Sequence, residues 1–372
     1  MSAVAGAVWG RAEQQDFRSR VRGTLLGVAV GDALGAAVAP LSIEEIRAEH
    51  GTEGLTDLAP AHGRRGAVTA TTQLTLFTVD GLIRAQVRRD TGAWHPPTDL
   101  HRAYRRWTAT QTDWGPDERR KDDGWLAREE WLYARRAPSR ACLTGFGDDI
   151  MGTVETPKNP EEQGVGAALR SAPFGLLVGW EPGLVAQLAV ECAVQTHGHP
   201  VAYLSAGAYA VIVHALARGE SLDAAVQRAL SLLAARPGHQ PVTDGLQHAL
   251  GAVRQGMPTP ARVEELAGSP GTAEGPLAAA VYCALVAEDI RHGLCLAVNH
   301  GGDSGAVGAL TGALLGALHG ETALPPGWLA ELEGRPTLLE LADDFAMEMT
   351  QGPALHGPAG SSPGWLARYP RG

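Results

Sequence analysis

Residues 23–35, GTLLGVAVGDALG, and residues 305–320, GAVGALTGALLGALHG, decide the fold. Gly23, Gly27, Gly31 and Gly35 recur every four residues in the first, as do Gly308, Gly312, Gly316 and Gly320 in the second. The residues between them are mostly apolar and suit a buried helix. Glycine inside a helix costs about 1 kcal/mol per position relative to alanine, so the two rows need a compensating contact. At four-residue spacing they form a ridge along which two backbones can approach closely. The two helices, one from each end of the chain, are expected to pack at the centre of one domain spanning 18–350.

The periodicity between these stretches is also helical. Leu74, Phe77, Leu82 and Ala85 form an apolar stripe, and Val201–Ala217, Leu222–Ala235, Leu277–Ala287 and Leu338–Met349 read as further helices. Ser42-Ile43-Glu44-Glu45 fits a capping box that opens another. Alternating strand patterns are scarce, and the fold class expected is all-α, with about a dozen helices. Trp94, Trp107, Trp114, Trp125 and Trp131 fall in an Arg- and Asp-rich stretch, 91–136, which reads as a surface subregion over the core, its tryptophans either lining a cleft or, the favoured reading, serving as ordinary aromatic anchors for a loop-rich segment. The segment 351–372 is rich in Gly, Pro and Ser and reads as a mobile tail.

Composition narrows the function. The 372 residues carry a formal net charge of -10, with 44% apolar and 19% charged residues. That acidic balance argues against a nucleic-acid partner, which needs a basic field. No apolar run reaches the roughly 18 residues of a membrane span; the best candidate, Gly305–Leu318, is too short and glycine-rich. The N-terminal stretch MSAVAGAVWGRAEQQDF has no basic segment followed by a long apolar one, so no leader is expected. Cys142, Cys192, Cys283 and Cys295 make no CxxC pair and read as free thiols of a cytoplasmic protein.

Four segments could bring polar groups together at helix starts: Gly31–Gly35 with Asp32; Gly66–Gln73; Gly164–Arg170 with Thr196-His197-Gly198-His199; and Asn299–Ser304. With their surroundings they include GTLLGVAVGDALG, GLTDLAPAHGRRGAVTATTQLTLFTVDGLIRA, RRAPSRACL, GAALRSAPFGL, THGHP and NHGGDSGAVGALTGALLGALHG. Over residues 20–320 this ordered set resembles the ADP-ribosylglycohydrolase family. The resemblance implies an all-α fold, two magnesium ions, and cleavage of the bond between ADP-ribose and a side chain or small molecule. Paired magnesium ions need oxygen ligands, mostly carboxylates, to orient ribose hydroxyls and polarise a water or the scissile bond.

The family supplies these oxygens through Thr-Asp-Asp-Thr in the second segment and Asp-x-Asp-Ser/Thr in the fourth, with a glutamate soon after the first. Here Thr69 matches the leading threonine, but Ala70 and Thr71 stand at the aspartates. Asp303 matches the first aspartate of the fourth segment, Gly305 and Ala306 replace the next two ligand positions, and Ala39 stands at the glutamate. No metal ligand is therefore assigned and no cofactor is expected. The resemblance implies a ligand-binding set of Thr69, Thr71, Gly164, Val165, Gly166, His197, Gly302 and Ser304; Asp303 and Asp32 are the candidate catalytic acids, beside structural readings in which Asp303 or Ser304 caps the following helix and Asp32 is a buried hydrogen-bonding residue on the packed ridge.

The expected function is binding of an ADP-ribose-like or other nucleotide ligand by a hydrolase-like pseudoenzyme with a degenerate magnesium site. Two alternatives stand beside it. One is a metal-independent or repurposed glycohydrolase acting on an ADP-ribosylated or NAD-derived small molecule, with His197 serving acid–base chemistry. The other is a structural or interaction protein that reuses the fold. The sequence names no protein partner.

Overall fold

The structure is a computed structural model that describes residues 9–39, 41–92, 94–117, 119–120, 124–356 and 360–371. Residues 1–8 of the N-terminal stretch, 93, 118 and 121–123 of the Trp-rich stretch, and 357–359 and 372 of the C-terminal segment lie outside them.

The two glycine-row helices are α1 (Arg11–Val38) and α15 (Ser304–His319), and they cross at the centre, antiparallel. Gly23 faces Gly316, Gly27 faces Gly312, Gly31 faces Gly308 and Gly35 faces Gly305. A Cβ on Gly35 would lie 2.5 Å from the Gly305 Cα, and one on Gly27 2.6 Å from the Gly312 carbonyl carbon. Carbon atoms ordinarily approach to about 3.5–4.0 Å, so at Gly27 and Gly35 only glycine permits this contact. The row's cost in helix propensity is offset by backbone packing, as the spacing indicated.

The rest is all-α, wrapped around this pair. Ser42 opens α2 (Ile43–His50) with the expected capping box. A two-residue hairpin, β1 (Pro60–Ala61) and β2 (Arg64–Arg65), turns through His62 and Gly63, both at positive φ. Next come α3 (Ala70–Arg88), α4 (Pro96–Thr110), α5 (Arg140–Gly147) and the short α6 (Gly166–Leu169) and α7 (Ala172–Gly175). A second layer is built from α8 (Pro182–Ala193), α9 (Pro200–Ala217), α10 (Leu222–Leu233), α11 (Gln240–Ala252), α12 (Pro260–Ala267), α13 (Glu274–Val286) and α14 (Ile290–Val298). After α15 follow α16 (Pro326–Glu331), α17 (Arg335–His356) and α18 (Pro363–Arg368). Two helices, Arg11–Val38 and Pro200–Ala217, are long and apolar enough to cross a membrane, more than the reading of apolar runs allowed; 83% and 89% of their apolar windows are buried inside the fold.

Two regions differ from expectation. The Trp-rich stretch is not all surface: Trp107 is fully buried in α4, edge-on to Phe146, and its indole N–H donates to Gln73 Oε1 at 3.2 Å. Trp94 and Trp114 do lie at the surface. The described residues 360–371 of the C-terminal segment expected to be mobile pack back on the core. Position 350 falls within α17, and Trp365 and Tyr369 are buried. The Tyr369 hydroxyl donates to Asp344 at 2.5 Å, and Arg84 and Arg88 donate to the carbonyls of Pro370 and Arg371. Composition marked this segment as loop, but two aromatic rings give it enough apolar area to dock. All four cysteines are free.

Candidate functional site

The α3 N-terminus is built on Asp32. Thr69 caps the helix: its hydroxyl accepts the Thr71 N–H at 3.2 Å and donates to Asp32 Oδ1 at 2.7 Å. The Thr69 N–H donates to Asp32 Oδ2 at 2.8 Å, and Thr72 adds its hydroxyl at 2.6 Å and its N–H at 3.3 Å. Asp32 is buried, and burial pushes its carboxyl above the ordinary value despite these four donors. An acidic group at a helix N-terminus also meets the positive end of the helix dipole. Both oxygens are thus committed to holding α1 against α3.

A second buried carboxylate fixes the approach to that helix. Glu333 accepts from the Val68 N–H at 3.2 Å, from Arg64 at 3.1 Å and from both terminal nitrogens of Arg136. The Ala70 N–H donates to the Arg136 carbonyl at 3.0 Å, and Gln73 donates to the Ala134 carbonyl at 2.9 Å. A cleft of about 520 Å³ is lined by Arg120, Gly124, Arg128, Glu130 and Tyr133 among others, and by no residue of the α3 start. Glu333 carried no signal in the sequence, since its partners lie some 200 to 270 residues away. Arg136 was within reach through the motif RRAPSRACL.

At the α15 N-terminus Asp303 is the cap. Its Oδ1 accepts the Ala306 N–H at 3.0 Å, while Oδ2 has no hydrogen-bond partner among the described residues. Asp303 is exposed, yet surrounding protein atoms desolvate its carboxyl enough to push it above the ordinary value. The neighbouring polar groups are used within the loop. The Gly302 N–H donates to His300 Nδ1 at 2.9 Å, and the buried Ser304 hydroxyl donates to the His300 carbonyl at 3.0 Å. Burial lowers the His300 pKa to about 4, so the ring is neutral. Asn299 ties this loop to residue 55 through the Leu55 N–H at 2.7 Å and carbonyl at 2.8 Å.

The third segment is α6 and the residues before it. α6 packs against both α3 and α15, and Thr75 donates to the Leu169 carbonyl at 3.4 Å. The Gly164 N–H donates to Glu162 at 3.0 Å, and Val165 is buried. Gly166 has a role the sequence did not disclose: a Cβ there would lie 2.9 Å from His197 Nε2, so the glycine makes room for the imidazole. His197 is buried, with Nδ1 2.7 Å from the Thr196 hydroxyl. Arg170 lies beneath, fully buried with no carboxylate partner among the described residues. It donates to the Gly166 carbonyl at 3.0 Å, the Cys192 carbonyl at 3.1 Å and the Thr196 hydroxyl at 2.7 Å, beside the stacked rings of Tyr104 and Phe146.

The fold therefore gathers the α3 start, the α15 start and α6 around the Gly31–Gly35 half of α1, and His197 stands over α6. Thr71 is half-buried, and no hydrogen bond to its hydroxyl is formed among the described residues. The donor set does not fit two magnesium ions, which need several oxygen ligands in octahedral geometry. Ala70 and Gly305 offer no side-chain oxygen, Asp32 is spent on α3, and Asp303 has one oxygen to spare. Among the described residues no group of three His, Cys, Asp or Glu side chains is arranged to hold a metal.

Comparison with known proteins agrees with this architecture. The profile of the ADP-ribosylglycohydrolase family matches residues 13–354. The ADP-ribosyl-[dinitrogen reductase] glycohydrolase of Rhodospirillum rubrum is 25% identical over 319 residues, 84% of this chain and 90% of the relative. An uncharacterized protein of Archaeoglobus fulgidus is 26% identical over 331 residues, 88% and 95% of the two chains. A solved structure of an ADP-ribosylglycohydrolase-related protein complex superposes with a TM-score of 0.63 at 25% identity, covering 91% of this chain and all of the other.

Proposed function

Because the chain belongs to the ADP-ribosylglycohydrolase family, we propose that it binds an ADP-ribosyl or related nucleotide ligand between the starts of α3 and α15 and the 164–166 loop, and that dinuclear magnesium hydrolysis is lost or strongly reduced. The observation that carries this reading is the contrast between the two halves of the site. The metal half lacks its carboxylates, since Ala70, Thr71 and Gly305 stand in their places and Asp32 is fully engaged. The ligand half keeps its glycine loop and a histidine edge turned toward it. Of the two candidate acids, Asp32 is a scaffold residue on this reading, and Asp303 retains an oxygen that can meet a ligand.

That free oxygen also favours a second reading, a metal-independent glycohydrolase with Asp303 as the acid. Incubation with ADP-ribosylated arginine peptide in magnesium and in EDTA separates the two. The first reading expects no release of ADP-ribose in either buffer. Release in magnesium that EDTA abolishes would overturn it, and release that EDTA leaves unchanged would install the second.

A further inference from the structure

Arg170 is always charged and all its N–H groups are donors, so the Thr196 oxygen must accept from it. The hydroxyl then has one proton of its own to place. Two acceptors are in reach: the Ala193 carbonyl at 3.4 Å and His197 Nδ1 at 2.7 Å. The first is at the outer edge of a hydrogen bond and the second is near ideal. The reverse arrangement, with Nδ1 donating, would load two donors onto one oxygen and leave the hydroxyl proton the longer contact. Nδ1 is therefore the acceptor, and the ring proton lies on Nε2.

The opposite edge of the ring faces the loop. Nε2 lies 2.9 Å from where a Gly166 Cβ would be and 4.0 Å from a Gly164 Cβ, and among the described residues it has no protein acceptor. His197 is 1% exposed, and Nε2 is not closed off from solvent, so its N–H takes its acceptor from water or from a ligand oxygen at this edge. Burial and the neighbouring Arg170 charge lower the His197 pKa to about 3, so the ring holds one proton at ordinary pH.

We infer that Arg170, acting through Thr196, is a positioning residue that fixes His197 as the neutral Nε2–H tautomer and presents that N–H to an oxygen of the ligand at the Gly164–Gly166 loop. The ligand contact rests on the function proposed above; the tautomer does not. In this role His197 is a donor, and it has no vacant nitrogen on the loop side with which to act as a base.

Nitrogen-15 NMR of histidine-labelled protein tests both parts. Without ligand, the expected result is a pyridine-like Nδ1 and a pyrrole-like Nε2 for His197, with no titration down to pH 5. Thr196→Ser, which keeps the hydroxyl, should leave this pattern unchanged. Thr196→Val should give a mixture of tautomers in a protein whose circular dichroism matches the parent. A proton on Nδ1 in the parent, titration near pH 6.5, or a Thr196→Val spectrum identical to the parent would overturn the tautomer assignment. Titration with ADP-ribose then reads the donor role: Nε2 should shift. A preserved tautomer whose Nε2 stays unmoved at millimolar ADP-ribose would remove the ligand contact and leave the Arg170–Thr196 relay standing.

Discussion

Replacing Asp32 in two ways distinguishes a scaffold carboxylate from a reacting one. In Asp32→Ala, two backbone N–H groups and two hydroxyls lose their acceptor in a buried site. The hydroxyls can turn toward other acceptors, but the Thr69 and Thr72 N–H groups at the start of α3 cannot. At about 1–3 kcal/mol for each buried donor left unsatisfied, with the cavity adding to the loss, the variant should be destabilised by about 3–5 kcal/mol. Asp32→Asn keeps an acceptor at the Oδ2 position for three of the four bonds, and its amide can donate to the Thr69 oxygen. It also removes a charge whose burial is unfavourable, so the loss should be about 1 kcal/mol or less. The pH dependence has a definite sign. Because the folded carboxyl is raised above 3.8, its contribution is complete below that value and declines as pH rises through the folded pKa. Asp32→Asn should therefore gain on the parent as pH increases from 4 to 7. Urea unfolding at several pH values measures all three quantities. Equal losses for Asn and Ala would refute the hydrogen-bond account, and a parent-like Asp32→Ala would show that this carboxylate does not hold α3.

Four further variants probe the frame and the proposed loss of the metal half. Gly312→Ala must push α1 and α15 apart by about 1 Å against backbone, and should lower stability by about 1–3 kcal/mol in thermal unfolding. Gly305→Ala, whose Cβ meets only Asp303 Oδ1 at 3.7 Å, should be neutral or stabilising by up to about 1 kcal/mol. The triple variant Ala70→Asp, Thr71→Asp and Gly305→Asp restores three carboxylates. Their repulsion should make it less stable than the parent in EDTA, and magnesium should raise its melting temperature. A folded triple variant without that shift would withdraw the correspondence of Thr69 and Asp303 to the family's ligands. Tyr369→Phe removes a buried hydrogen bond to Asp344 and should cost about 1.5–3 kcal/mol; unchanged urea unfolding would mean that the segment beyond the family match, which ends at 354, is not part of the cooperative fold.

Much of the frame was legible because it rests on local repetition. The glycine rows announced α1 and α15 and their mutual contact, Ser42 announced α2, and the apolar stripe announced α3. Asp32 could be recognised as a polar group on a packed ridge, but not its partners, since Thr69 and Thr72 reach it only after the chain has returned across 37 and 40 residues. Glu333 and Arg170 were illegible for the same reason: each is a charge most of whose partners lie far along the chain. Gly166 was read as a place for a ligand's approach, when its missing side chain also accommodates His197. The docking of α18 was hidden by a composition of Gly, Pro and Ser that outweighed Trp365 and Tyr369.

The central claim is that the ligand half of the site works without the metal half. Isothermal calorimetry with ADP-ribose, run in magnesium and again in EDTA on the unmodified protein, measures this directly. The account predicts a saturable heat with the same dissociation constant in both buffers. No heat at millimolar ADP-ribose, or binding that appears only with magnesium, would contradict it.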